Sequence, residues 1–231
     1  MKTIGLLGGM SWESTQTYYR LINEGIKARL GGLHSAKLVL FSVDFAEIEA
    51  LQHRGDWPAT ADILSRAAAS LQKAGADFLL IGTNTMHKVA PEIEQAVQIP
   101  LLHIADATAE VLRNDGINRV GLLGTRFTME QAFYRERLEK AGIEVLTPDE
   151  LQREAVHRVI YEELCQGHVL AQSRDAYLDI VNSLSGRGAQ AVILGCTEIG
   201  LLINQKDTEV PLYDTTAIHA IQAVDQALAG P

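Results

Sequence analysis

Residues 75–85, GADFLLIGTNT, and residues 188–198, GAQAVILGCTE, follow one pattern: a glycine–alanine turn, an apolar run, a glycine, and a short polar or reactive trio. Each apolar run is continuous rather than alternating, which predicts a strand covered on both faces. The same landmarks flank both copies. IGLLG from Ile4 returns as VGLLG from Val120, so that Gly5 matches Gly121 at an offset of 116. The GA-run returns at an offset of 113, and IPLL from Ile99 returns more loosely as VPLY from Val210, at 111. Three landmarks in one order, with slowly drifting offsets, indicate two similar half-chains rather than unrelated strand-to-loop junctions.

Strands are predicted at 3–7, 37–43, 77–82, 100–104, 118–123, 190–194 and 210–213, separated by helix-length segments. Over 12–30, Tyr18, Leu21, Ile22 and Ile26 share a helical face, and Gly31-Gly32 ends it. Ile63, Leu64, Ala67, Ala68 and Leu71 mark a second helix ending at Gly75; Phe133, Leu138 and Ala141 mark another ending at Gly142. Strands alternating with helices predict parallel βαβ units in open sheets, hence an α/β protein of two similar domains. Open parallel sheets bind ligands at the carboxyl ends of their strands, so the active site is expected in an interdomain cleft between two such edges.

Composition narrows the function classes. The chain has 231 residues, 47% of them hydrophobic, with 20 Lys+Arg against 29 Asp+Glu and a formal charge of −9. The absence of a basic cluster argues against nucleic acid as a partner. No apolar run approaches the roughly 20 residues needed to cross a bilayer, and the N-terminus, interrupted by Gly8 and Gly9, does not read as a signal peptide. Two cysteines, Cys165 and Cys196, cannot make a disulfide framework. A cytoplasmic enzyme or binding protein is the expectation.

Superposing the repeats sets Thr83 opposite Cys196, Asn84 opposite Thr197 and Thr85 opposite Glu198, each trio at a strand tip. Cys196 is the nucleophile or base candidate, with its thiolate favoured by backbone N–H groups at the start of a following helix. Cys165, within the helical-looking EAVHRVIYEELCQG, reads as a packing residue. In GLLGGMSWEST, Ser11 is a candidate N-cap and the glycine turn offers N–H groups to an anion, more suitably a carboxylate than a phosphate. GxGxxG and GxxxxGK[ST] are both absent. Thr125 and Thr128 in the matching GTRFTM could donate hydroxyls to the same ligand. Arg54, in LQHRGDW after the second strand, reads as a loop arginine able to select a dicarboxylate, with Gln52 nearby. His53, His87, His103 and His219 show no metal-binding spacing, and no flavin or pyridoxal motif is visible. The enzyme reading is therefore cofactor-free and metal-free.

GLLGGMSWEST, TNTMH, LLGTRFTM, GCTEIGLL and DTTAIHA together resemble the aspartate/glutamate racemase family, and the run of sequence is similar to its enterobacterial amino-acid and L-aspartate/glutamate-specific members. The resemblance spans essentially the whole chain. It implies two α/β domains with parallel sheets related by pseudo-symmetry: 1–98 plus 210–231, with the C-terminal strand and helix returning to the first domain, and 99–209. It implies frequent homodimers and a PLP-independent racemase acting on aspartate or glutamate. In such enzymes two cysteines, one per half, face the Cα from opposite sides; one removes the α-proton as thiolate and the other returns a proton.

Here the second cysteine is Cys196, but Thr83 stands where the first would be. A threonine hydroxyl is a weaker acid than a thiol by about eight pKa units. The resemblance therefore implies that Cys196 deprotonates the L-enantiomer while Thr83 helps reprotonate the other face, with an L-to-D bias in rate. Asn84, Thr85 and Thr197 are implied as partners of the α-carboxylate. Met10 and Ser11 (through their backbone), Gln52, Arg54, Thr125 and Thr128 are implied as further binding residues, and Glu198 and His87 as tuners of the thiol or of the ligand ammonium. The alternatives are a cofactor-free decarboxylase or isomerase of the same superfamily using Cys196 alone, and a non-catalytic acidic amino-acid-binding protein.

Overall fold

The computed structural model describes residues 1–230. In chain order, β1 (Ile4–Gly8), α1 (Trp12–Leu30), β2 (Leu38–Ser42), α2 (Phe45–Arg54), α3 (Trp57–Lys73) and β3 (Phe78–Ile81) lead through a 3-10 turn at Thr85–Val89 to α4 (Ala90–Ala96). Then come α5 (Ile104–Asn114), β4 (Arg119–Gly124), α6 (Arg126–Glu130), α7 (Ala132–Lys140), β5 (Glu144–Leu146) and α8 (Glu150–Glu162). The chain ends with α9 (Ala171–Gly186), β6 (Ala191–Gly195), α10 (Ile199–Leu202), β7 (Leu212–Asp214) and α11 (Thr215–Leu228). Two compact units result: Met1–Ile104 with the chain from His219 onward, and Ala105–Ile218.

Each unit is a parallel α/β sheet, ordered β2-β1-β3 in the first and β5-β4-β6-β7 in the second. The repeat is visible bond by bond. Asp77 N donates to Thr3 O at 2.8 Å, as Gln190 N does to Arg119 O at 2.8 Å. Leu79 N donates to Pro100 O at 2.9 Å, as Val192 N does to Pro211 O at 2.8 Å. Leu79 bridges in parallel to Leu101, and Val192 pairs with Leu212. Leu101 thus takes the place in the first unit that β7 takes in the second.

The continuous apolar runs are explained by two-sided cover. Ile4, Leu6, Phe78 and Leu80 face Tyr18, Ile22 and Ile26 of α1 and Ala220, Ala223 and Val224 of α11. Leu7, Leu79 and Ile81 face Ile48, Leu64, Ala67, Ala68 and Leu71 on the other side. In the second unit, Leu123, Val192 and Leu194 pack with Val156, Ile160, Tyr177, Val181 and Leu184. Burying each such side chain contributes about 1.5–3 kcal/mol.

Several expectations are corrected. No strand forms over 100–104: only Leu101 bridges, and α5 begins at Ile104. Strand β5 at Glu144–Leu146 went unpredicted, being short and at a sheet edge. β2 is not covered on both faces, since it too is an edge strand and Leu40 and Phe41 are exposed. The passages between units fall at Ile104/Ala105 and Ile218/His219, later than residues 98 and 210, and the C-terminal strand does not join the first sheet. The reason is pairing: Leu101 still bridges to β3, and β7 is held by β6.

Candidate active site

The candidate residues divide between the units. Met10, Ser11, Gln52, Arg54, Thr83, Asn84, Thr85 and His87 belong to the first, and Thr125, Thr128, Cys196, Thr197 and Glu198 to the second.

In the first unit the turn after β1 is built by its glycines and capping hydroxyls. Gly9 has φ +92°, and a Cβ there would overlap the Val43 carbonyl, so only glycine fits. Its N–H donates to Thr15 Oγ1 at 2.7 Å, and that hydroxyl donates to Ser11 O at 2.8 Å. Ser11 caps α1, its Oγ accepting from Ser14 N at 3.3 Å. The expected anion-binding turn therefore spends the Gly9 and Ser14 N–H groups internally. Ser14 Oγ then donates to Gly82 O at 3.0 Å, stitching this turn to the end of β3. Ser14 and Thr15, which sequence reasoning did not single out, carry that stitch; their place one turn after the cap is the signal that could have found them.

Thr83 is half-buried at the tip of β3, while Asn84 and Thr85 behind it are buried. His87 Nδ1 donates to Thr83 O at 2.8 Å, and Nε2 accepts from Ile104 N at 3.3 Å. Both ring nitrogens are thus used by a neutral imidazole that braces the Thr83 turn. Its ring packs on His103, with centroids 4.4 Å apart, and on His219, at 5.9 Å. His219 Nε2 donates to Leu102 O at 2.8 Å, and its Nδ1 accepts from Tyr18 Oη at 2.8 Å. Burial pushes the His219 imidazole down to about 4, so it too is neutral.

Arg54 is the last residue of α2 rather than a loop residue, and Gly55 in the left-handed region caps the helix. It is exposed, whereas Gln52, two residues earlier on the helix, is buried. Arg54 lines an open groove of about 340 Å³ with Glu47, Leu51, Asp62, Ile63 and Arg66.

In the second unit Gly124 pairs with Gly195, and a Cβ on Gly195 would lie 2.8 Å from Leu123 O. Close backbone approach requires glycine there. Thr125 caps α6: its Oγ1 accepts from Thr128 N at 3.3 Å and lies 3.3 Å from Thr128 Oγ1. Both threonines are buried. Cys196 follows Gly195, half-buried, and its Sγ donates to Glu198 Oε2 at 2.9 Å. Thr197 Oγ1 donates to the same oxygen at 2.6 Å. Glu198 is 6% exposed, so this carboxylate is held away from water beside the thiol.

The expectation of a favoured thiolate is reversed. Burial first, then the charge of Glu198 and the neighbouring Cys165, push the Cys196 thiol well above its ordinary value. α10 is only four residues long and does not offset this. The resting group is a thiol bonded to a carboxylate. Cys165 lies in a 3-10 turn at Leu164–Gln166 rather than in α8, against the same apolar cluster as Cys196. Among the described residues no group of three or more His, Cys, Asp or Glu could hold a metal ion, and no helix is long and apolar enough to cross a membrane.

A model of the Asp/Glu/hydantoin racemase family matches residues 7–223. A crystal structure from Yersinia pestis, provisionally described as an Asp/Glu racemase, is similar at 61% identity, covering 99% of this chain and 100% of that one, with a TM-score of 0.93. An aspartate racemase homologue from Pyrococcus horikoshii OT3 is 34% identical over 98% of this chain and 99% of its own, with a TM-score of 0.86. The broad specificity amino-acid racemase RacX of Bacillus subtilis is 27% identical over 98% of each chain.

Proposed function

Because the chain belongs to the Asp/Glu/hydantoin racemase family, we propose that it racemises aspartate or glutamate without a cofactor, by removing the α-proton on one face and returning a proton on the other. The observation that carries the finer reading is the Cys196 Sγ–Glu198 Oε2 hydrogen bond at the tip of β6. A thiol that must act as a base has to release its own proton, and Glu198 is the acceptor already in place. Cys196 then takes the α-proton of the L-enantiomer, and Thr83 serves the other face. Positioned proton transfer of this kind contributes about 10²- to 10⁴-fold in rate.

The carbanion needs its carboxylate held by donors. We assign that contact to Asn84, Thr85 and Thr197, with Met10 and Ser11 acting through backbone groups. Gln52, Thr125 and Thr128, all buried, are assigned as further substrate-binding residues. Arg54 is assigned to a substrate carboxylate, and His87 to bracing Thr83. A cytoplasmic homodimer is the expected form, to be checked by light scattering.

L- and D-enantiomers have equal free energy, so kcat/KM for racemisation is equal in both directions. The inequality of the two faces appears instead in solvent exchange at Cα. The test is NMR in D2O of Cα–H loss from L- and D-aspartate and glutamate separately, without added cofactor. Exchange much faster from L than from D is expected; no exchange from any of the four would overturn the racemase reading. The protonated state of Cys196 also suits a second reading, in which the thiol protonates a carbanion formed by decarboxylation. Release of CO2 from a malonate, with no Cα exchange in amino acids, would favour it.

A further inference from the structure

Lys88 sits in the 3-10 turn Thr85–Val89, five residues after Thr83, and its Nζ lies 3.9 Å over the centroid of the Trp57 ring. Trp57 opens α3, which packs on this turn, and its ring is partly buried against the core containing Leu7, Met10 and Met86. Glu92 stands one turn beyond Lys88, exposed and at the spacing of a helical ion pair. Lys88 does not take it. Among the described residues no carboxylate lies within ion-pair distance of Lys88 or of Arg54, three residues before Trp57.

An ammonium on an aromatic face has lost part of its hydration and much of its rotamer freedom, and Lys88 remains partly exposed. Burial accordingly lowers the Lys88 pKa. In a chain of net charge −9, an anionic ligand needs such local uncompensated cations. Trp57 follows the end of α2 and Lys88 follows β3, so both lie at the carboxyl-end edge of the first sheet, where Thr83 is.

We propose that Lys88, seated on Trp57, joins Arg54 in binding the side-chain carboxylate of the acidic amino acid and so strengthens the preference for a dicarboxylate. This rests on the racemase reading for its choice of ligand. Trp12→Phe leaves Trp57 as the one tryptophan, and Trp12 is exposed. In that background Trp57 emission is titrated with L-glutamate and with L-glutamine, and KM for Cα–H exchange is measured in parallel. Lys88→Met weakens L-glutamate by about 10- to 100-fold, the loss of one charge-assisted hydrogen bond, and leaves L-glutamine nearly unchanged. Lys88→Arg restores most of the difference.

An unaltered glutamate-to-glutamine preference in Lys88→Met overturns the proposal, as does the absence of saturable L-glutamate and L-aspartate binding to the wild type. The two readings fail separately. Exchange that continues with unchanged KM in Lys88→Met removes Lys88 and leaves the racemase. Lys88-dependent glutamate binding without exchange removes the racemase and leaves Lys88 as a binding residue.

Discussion

The tips of β3 and β6 are two versions of one frame with opposite polar chemistry. Both follow a glycine that ends a strand paired in parallel to the central strand of its sheet. At the β3 tip the trio Thr83-Asn84-Thr85 is braced by neutral imidazoles, His87 on the Thr83 carbonyl and His219 behind it. At the β6 tip the trio Cys196-Thr197-Glu198 turns inward, thiol and hydroxyl both donating to one buried carboxylate. A duplicated backbone therefore does not imply duplicated reactivity. Among the described residues no base is hydrogen-bonded to the Thr83 hydroxyl at one tip, whereas the thiol at the other is hydrogen-bonded to a carboxylate.

The comparison breaks first at Cys196. Cys196→Ala should lower Cα–H exchange from the L-enantiomer by about 10³-fold or more, within the range of a lost positioned base, while circular dichroism and melting stay close to wild type. Retained exchange would remove Cys196 from the chemistry.

The next effect distinguishes how the tips are braced. The His219 pKa is depressed to about 4 in the fold against 6.5 for the free side chain. Between these values the unfolded chain binds a proton that the fold refuses, so stability is full above pH 6.5 and declines toward pH 4. The drop from this group amounts to about 3 kcal/mol. Urea titrations across that range should show a shallower loss in His219→Gln than in wild type, even though the variant is less stable at neutral pH. An identical slope would mean that the imidazole titrates freely.

Thr83→Cys makes the tips chemically alike and should raise racemisation about tenfold or more, equivalent to roughly 1.4 kcal/mol of barrier. It should also bring exchange from D toward exchange from L. No change in either would show that proton return is not limited at Thr83. The last effect is read on the resting thiol at Glu198, apart from the loss of exchange that removing the proposed proton acceptor brings. Glu198→Gln removes the charge that raises the Cys196 thiol, so its pKa falls and iodoacetamide should alkylate Cys196 several-fold faster near pH 8. Unchanged alkylation would mean that burial alone holds the thiol protonated.

Much of this architecture was legible in the residues. α1 occupies 12–30 because its apolar face, its Ser11 cap and the Gly31 stop agree with one another. The central strands were legible because two-sided burial demands uninterrupted apolar runs. Edge elements were not: β5 carries too few apolar residues, and the apolar run at 100–104 runs into α5 at Ile104, so that only Leu101 bridges. In the site, Thr83 and Cys196 stood out through the repeat, and Ser11 through its capping position. The ionisation of Cys196 did not, since it depends on where the Glu198 carboxylate turns. Nor does the spacing around Lys88 signal the Trp57 ring beneath it.

The sequence by itself determined the βαβ alternation, the internal repeat and the reactive trio at each strand tip, because these follow from local periodicity and from glycines whose backbone admits no side chain. Only the tertiary structure decided which polar groups are spent on one another. Hydrogen bonding and desolvation are set by neighbours brought from elsewhere in the chain. Ser14 reaches Gly82, His219 lies behind Thr83 on a helix from the far end of the sequence, and Trp57 lies under Lys88. Sequence spacing carries no record of those distances.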